Sequence, residues 1–187
     1  MAWTAPMTAV SGSVYTAAQF NTFVRDNLLE TCPAKATTSG SYFVTSGTNR
    51  IAERQAQQSF ISQQDSCGAT SYDDPDVSPS GNNPIPGPSV TVFSGSTALI
   101  VVGGRIGGNT VTTASVKMSW EVSGATSISA TDTWATGAVG LSSGFAYDSR
   151  AWLVTDLIEG LNTVTAKYSV SSGSGLFSFR SLLVMPF

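Results

Sequence analysis

The chain has 187 residues, enough for one domain with a substantial core and, besides it, only a small extra element. Charged residues make up 11%, against ~25% in ordinary soluble domains, the net charge is −3 and no basic run exists, so the electrostatic footprint needed to bind nucleic acid is missing. With no histidine and two cysteines, Cys32 and Cys67, the sequence excludes a zinc site of the usual kind and a disulfide framework; two free thiols are the preferred reading and one disulfide the alternative.

No run approaches the ~18 apolar residues of a membrane span, and the N-terminus lacks the basic and apolar regions of a signal peptide. The expectation is a protein made in the cytoplasm without a classical export address. Residues Met1 to Tyr15, with Trp3, Pro6 and Met7, read as an extended arm with aromatic anchors. Thr16 to Glu30 is the one convincing amphipathic helix. Thr16 and Gln19 match the capping box, in which hydroxyl and side-chain amide satisfy each other's first-turn N–H groups. Tyr15 and Phe20 occupy the two positions of a hydrophobic staple. Phe20, Phe23, Val24 and Leu28 fall on one stripe at helical spacing, with Arg25, Asp26 and Glu30 elsewhere and Pro33 ending the element. Such a short helix is marginal alone, so its apolar face needs a partner surface.

Ser41 to Thr45 alternates like a short strand, Ser46-Gly47 signals a turn, and Arg50 to Glu53 returns as the partner strand of a hairpin. The Gln-rich stretch from Gln55 to Ser71 holds one short candidate strand at Phe60 and Ile61. Tyr72 to Pro88, with five prolines, reads as loop or linker. Beyond it, strands are expected at Ser89 to Phe93, Ala98 to Ile106, Val111 to Val122, Ser127 to Ala130, Ala135 to Leu141, Ala151 to Thr155, Asn162 to Val170 and Leu176 to Met185. Val164, Ala166, Tyr168 and Val170 alternate with polar residues, the signature of a half-buried antiparallel strand. Ala98 to Val102 and Leu182 to Met185 are continuously apolar and are expected to be buried on both faces. The fold class is therefore mainly β. An arm and docking helix (1–33) lead into a short stalk-like β segment (34–71), a Pro/Gly/Asn-rich loop (72–88) and an antiparallel β-sandwich or jelly roll (89–187).

Motifs for catalysis fail on inspection. Gly140-Leu141-Ser142-Ser143-Gly144 matches a nucleophile elbow, but no histidine exists to serve as base. Val101 to Gly108 is glycine-rich without the following helix or the lysine of a phosphate loop, and reads as a strand with close backbone approach. Asp73, Asp74 and Asp76 lack the spacing of a calcium loop and read as a solvated loop. Glycosidase carboxylates would have to come from Glu121, Asp132, Asp148, Asp156 or Glu159, which spacing alone does not bring together. No catalytic residue, metal site or cofactor is expected. Trp120, Trp134, Tyr147 and Trp152 have faces that stack on sugars; core packing is expected for most of them, and Trp134 and Tyr147 are the best exposed candidates for contact with a glycan.

Several segments resemble a known family. Trp3-Thr4-Ala5-Pro6, then Val14-Tyr15-Thr16-Ala17-Ala18-Gln19-Phe20-Asn21, then Arg25-Asp26-Asn27-Leu28 resemble a leader of virion proteins from tailed bacteriophages, especially those of actinobacteria. Lys35 to Gly40 with Tyr42-Phe43-Val44 and Ile51 to Arg54 is similar to the stalk repeat of trimeric tail fibres, although a single unit is far shorter than a long fibre. The C-terminal segment, from Leu153-Val154-Thr155 to Arg180-Ser181-Leu182-Leu183-Val184, is similar to terminal domains of such proteins, trimeric jelly rolls of the tumour-necrosis-factor-like kind. The resemblance implies a non-enzymatic, homotrimeric structural protein of the virion, of the minor tail or fibre type. It implies docking to other virion proteins through Trp3, Tyr15, Phe20, Phe23, Val24 and Leu28 and contact with the host surface. A capsid decoration protein is the alternative within that class, and a carbohydrate-binding module the alternative outside it.

Overall fold

A computed structural model of the chain describes residues 4–8, 10–79, 81–108, 115–139 and 144–187, without the side chains of Cys32 and Pro33. Trp3, the start of the strand expected from Val111, and Ser142 with its elbow lie outside the described residues. The chain divides into two compact units, Met1–Gln55 with Phe187, and Ala56–Pro186.

The first unit opens with a helix in three continuous pieces: α1 (Ala17–Phe20), a five-residue π turn (Asn21–Arg25) and α2 (Asp26–Leu29). A further helical turn, α3 (Cys32–Lys35), follows. Pro33 therefore does not end the helical region; it sits in the first turn of α3, where a missing N–H costs nothing. Strands β1 (Tyr42–Gly47) and β2 (Arg50–Arg54) form the expected hairpin. Its turn places Asn49 at φ 56°, a left-handed conformation that asparagine tolerates.

The second unit is a two-sheet antiparallel β-sandwich. Its strands are β3 (Gln57–Ile61), β4 (Asp65–Cys67), β5 (Ser89–Ser94), β6 (Ala98–Gly108), β7 (Ser115–Gly124), β8 (Thr136–Val139), β9 (Phe145–Val154), β10 (Gly160–Val170) and β11 (Gly175–Pro186). One sheet has the order β5-β10-β7-β8 and the other β3-β11-β6-β9, with β4 also paired to β11. From β5 onward the chain passes repeatedly between the sheets, a winding of jelly-roll type.

Alternation explains the burial. In β5, Val90, Val92 and Ser94 point inward while Ser89, Thr91 and Phe93 point out, and in β10 Val164, Ala166, Tyr168 and Val170 form the inner row. On the outer face of this sheet, hydroxyls pair across the strands, Ser89 with Thr165 and Thr91 with Thr163, both at 2.8 Å. Trp120, Tyr168, Phe177, Ile100, Ile106, Met118 and Leu182 are all but fully buried and fill the space between the sheets. Cys67 is a free, buried thiol in the same core.

Five features differ from the expectation. Gln57–Ile61 and Asp65–Cys67, within the stretch read as stalk-like, pair with β11 and so belong to the sandwich. Ser127 to Ala130 makes only an isolated bridge, Ile128 to Val122, and the strand expected from Ala151 begins at Phe145. The runs Ala98 to Val102 and Leu182 to Met185 are buried on one face only: Ile100, Val102, Leu182 and Val184 face the core, while Leu183 is 37% exposed. The proline-rich loop is fastened down, because Asp73 exchanges two backbone hydrogen bonds of 2.9 Å with Tyr168 and Ala166 N–H donates to the Pro88 carbonyl at 3.0 Å.

One irregularity organises the β11 side. Its register shifts between Ser178 and Ser181, and Phe179 there takes φ 50°. The extra residue changes the phase of the strand, so Phe179 turns outward and Arg180 turns into the core. Arg180 is fully buried, and its Nη2 meets the equally buried Asp65 Oδ2 at 2.5 Å. Its Nη1 donates to the Ile85 carbonyl at 3.0 Å, while Asp65 also accepts from Ile85 N–H at 3.2 Å and from Gln63 Nε2 at 2.7 Å. A buried charge left without its partner is strongly penalised, whereas an exposed pair contributes little. Asp65→Ala is expected to lower unfolding stability by about 3 to 5 kcal/mol. Removing the exposed Lys117 from its 2.6 Å pair with Asp132 should cost at most about 1 kcal/mol in the same denaturant titration. Equal effects from the two substitutions would contradict a dominant role for the buried pair.

Candidate functional site

In the N-terminal unit, the capping box forms as expected: Thr16 Oγ1 accepts from Gln19 N–H at 3.2 Å, and Gln19 Oε1 accepts from Thr16 N–H at 2.9 Å. The staple forms too, with the Tyr15 and Phe20 rings edge to face at 6.2 Å. The apolar stripe, however, is split. A π turn adds one residue and rotates the succeeding helical turns by about 100° relative to a continuous α-helix. Phe23 and Val24 are half-buried, while Phe20 is 48% and Leu28 61% exposed. Glu30, expected off the apolar stripe, is buried beside Lys35, with the ion pair at 3.1 Å.

Asn27 takes the inward position. Its amide donates to the Thr4 carbonyl at 2.8 Å and to the Phe23 carbonyl at 3.0 Å, and its Oδ1 accepts from Thr4 N–H at 2.8 Å. The amide thus treats residue 4 of the arm as a neighbouring strand would and holds the arm along the helix. A polar residue within an otherwise apolar helical face was the available signal. Tyr15 remains 48% exposed, Leu29 49%, and Val10 and Val14 more so. Polar bonds set this unit's shape, and none of its described apolar side chains is fully buried.

Glu53 performs a similar task at the hairpin. Its carboxylate accepts from the Ser41 hydroxyl, from Thr37 Oγ1 at 2.5 Å and from Thr38 N–H at 2.8 Å. These donors, the Ser41 hydroxyl foremost, pull its pKa from 4.5 down to about 2.

On the sandwich, the two glycan candidates separate. Trp134 is half-buried, stacked on Trp120 with ring centres 4.7 Å apart and planes 16° off parallel, and its Nε1 donates to the Trp120 carbonyl at 3.1 Å. Its ring is packing material. Tyr147 is 73% exposed on β9 and lies 6.4 Å from Phe179, which in turn lies 6.4 Å from Phe60 on β3. This aromatic row flanks an open cleft of about 360 Å3 lined by Gly103, Gly104, Tyr147, Asp148, Ser149, Phe179 and Ser181. The glycine-rich stretch of β6 thus has a structural use: a Cβ on Gly103 would lie 2.7 Å from that of Ser149. Sequence reading missed Phe60 and Phe179, since no local pattern shows that a bulge turns Phe179 outward.

Three of the five carboxylates considered for catalysis are engaged elsewhere. Glu121 lies 3.4 Å from Lys167, which also pairs with Asp74 at 3.1 Å. Asp132 accepts from Lys117 and from the Tyr72 hydroxyl, and these two bonds hold its carboxyl below the usual range. Asp148 accepts from the Thr136 hydroxyl and from Gly137 N–H. Asp76 accepts from Gly68 N–H at 3.3 Å, so the acidic loop is tied to the sandwich and is not simply solvated. Among the described residues no group of three His, Cys, Asp or Glu side chains is placed to hold a metal ion, and no helix is long and apolar enough to cross a membrane.

No protein-family model and no curated protein matches the sequence. Similar solved structures include that of the infectious bursal disease virus Gx strain, with 11% identity over 76% of this chain and 36% of that one, at a TM-score of 0.43. Another is the Eiger TNF of S. frugiperda, with 8% identity over 72% of this chain and 92% of that one, at 0.42. A third is the infectious bursal disease virus VP2 subviral particle, with 11% identity, 76% and 37% coverage and a TM-score of 0.40. The chain spans only about a third of the two viral chains. The fold assignment rests on the strand pairing described above.

The Glu53 cage sets a measurable pH response. Because the folded carboxyl titrates below its ordinary value, its contribution is complete above pH 4.5 and fades as pH falls toward about 2. The amide resonances of Thr37 and Thr38 should shift with a midpoint near pH 2, and Glu53→Gln should remove the transition. A midpoint near 4.5 would show that the cage does not form.

Proposed function

We propose that this chain is a non-enzymatic structural protein of a bacteriophage particle, of the minor tail or fibre type, assembled as a homotrimer. In this reading the N-terminal unit attaches to other virion proteins and the sandwich faces outward, toward the host surface. The observation that carries it is the N-terminal unit itself, a separately clustered module that leaves Val10, Val14, Tyr15, Phe20, Leu28 and Leu29 exposed. In this reading those exposed apolar side chains make the interaction surface. The leader resemblance covers the same residues, and the bonds of Thr16, Gln19, Thr4 and Asn27 give several of its positions a physical role. Attachment to the head, as a decoration protein, is the second reading; the stalk-like part favours it, being a single hairpin.

Burying a large apolar side chain contributes roughly 1.5 to 3 kcal/mol, so placing charge at two such positions should abolish docking. The full-length double variant Phe20→Asp, Phe23→Asp is expected to be missing from purified particles while the near-ultraviolet circular dichroism of its sandwich aromatics is unchanged. Normal incorporation would refute the anchor role. For the assembly state, light scattering of the free chain should give three times the chain mass, and a stable, folded monomer would contradict the trimer.

A further inference from the structure

We propose that the cleft on the outer face of the β3-β11-β6-β9 sheet is a binding site for a neutral oligosaccharide, with Tyr147 and Phe179 as its stacking surface. The proposal goes beyond virion attachment and does not depend on it.

The chemistry of the lining selects the ligand. A sugar presents apolar C–H faces and a rim of hydroxyls, so its complement is an aromatic face beside small polar groups. Here Tyr147 and Phe179 stand beside Ser149 and Ser181. The volume, about 360 Å3, lies in the range of small-ligand sites. The lining holds no lysine or arginine, and Asp148, its one charged residue, is bonded through its carboxylate to Thr136 and Gly137, so a phosphate, sulfate or uronic acid meets no cation. A second copy of the flat sheet pressed on this face would bury both serines against apolar groups, which is costly.

The site is also held ready. Phe179 stands at φ 50°, a conformation that a bulky residue adopts only where the surroundings impose it. Its successor Arg180 is fixed by the buried pair with Asp65. Phe60, on the far side of Phe179, extends the aromatic surface across a third strand.

The test applies the purified full-length chain to an array of neutral hexose and pentose oligosaccharides alongside sialylated and uronic-acid ones, then titrates the tightest neutral binder. Binding to neutral glycans is expected, weakened about tenfold or more by Tyr147→Ala and by Phe179→Asn, which keeps a residue tolerant of positive φ. Phe93→Ala, an exposed aromatic on the opposite sheet, should leave affinity unchanged. No binding to any neutral glycan, a preference for the acidic ones, or affinity indifferent to Tyr147→Ala would overturn the assignment. So would light scattering in which Tyr147→Ala dissociates an oligomer, since the face would then be a contact between copies. Because none of these readouts involves a particle, failure here and failure of virion attachment are told apart.

Discussion

The buried pair of Arg180 and Asp65 is the constraint on which the sandwich depends. A guanidinium with no solvent exposure is tolerable only where its charge is met, and here one carboxylate meets it, with the carbonyl of Ile85 as a further acceptor. The partners come from three separate stretches: β4, the proline-rich loop and the last strand. Joining them fixes where the loop crosses the sheet, sets the phase of β11 after its bulge and turns Phe179 outward. The core around the pair is ordinary alternation, with Trp120, Tyr168 and Phe177 supplying bulk. A hydrophobic residue at position 180 would fill the same space without selecting one register.

The N-terminal unit is built on the opposite principle. Its order comes from local polar bonds: the capping box, the Asn27 amide on Thr4, and the Glu53 cage around residues 37 to 41. Its apolar side chains remain largely in solvent. Such bonds give a short helix and hairpin their shape but little net stability, since each replaces a bond to water. A module shaped by polar contacts and apolar on its exterior is suited to a surface supplied by another molecule. That division of labour, a self-sufficient sandwich and a dependent N-terminal unit, underlies the proposed role in a particle.

Much of this was legible in the sequence because it is local. Thr16 with Gln19, Tyr15 with Phe20, and the hairpin around Gly47 depend on residues a few positions apart, and the alternation in β10 appears in the strand's own order. Non-local pairings were hidden. Phe60 and Ile61 suggest a short strand but not its pairing with β11, and Arg180 has no visible partner until Asp65, 115 positions away, is placed beside it. The π turn escaped for a different reason: the 3.6-residue period was assumed throughout the helix, and one widened turn undoes it. Trp134 and Tyr147 have comparable flanking residues, yet one stacks on Trp120 of β7 and the other stands in solvent, a difference set by non-local packing. For the same reason the cleft, assembled from β6, β9 and β11, left no contiguous motif.

The proposed role requires the exposed apolar side chains of the N-terminal unit to be a contact surface in an assembled particle. Hydrogen–deuterium exchange of the free chain and of the chain within particles tests it most directly. The account predicts that amides from Tyr15 to Leu29 exchange readily in the free chain and become strongly protected on assembly, while those of β6 and β11 are protected in both. Unchanged exchange across the helix, with new protection confined to the sandwich, would contradict it.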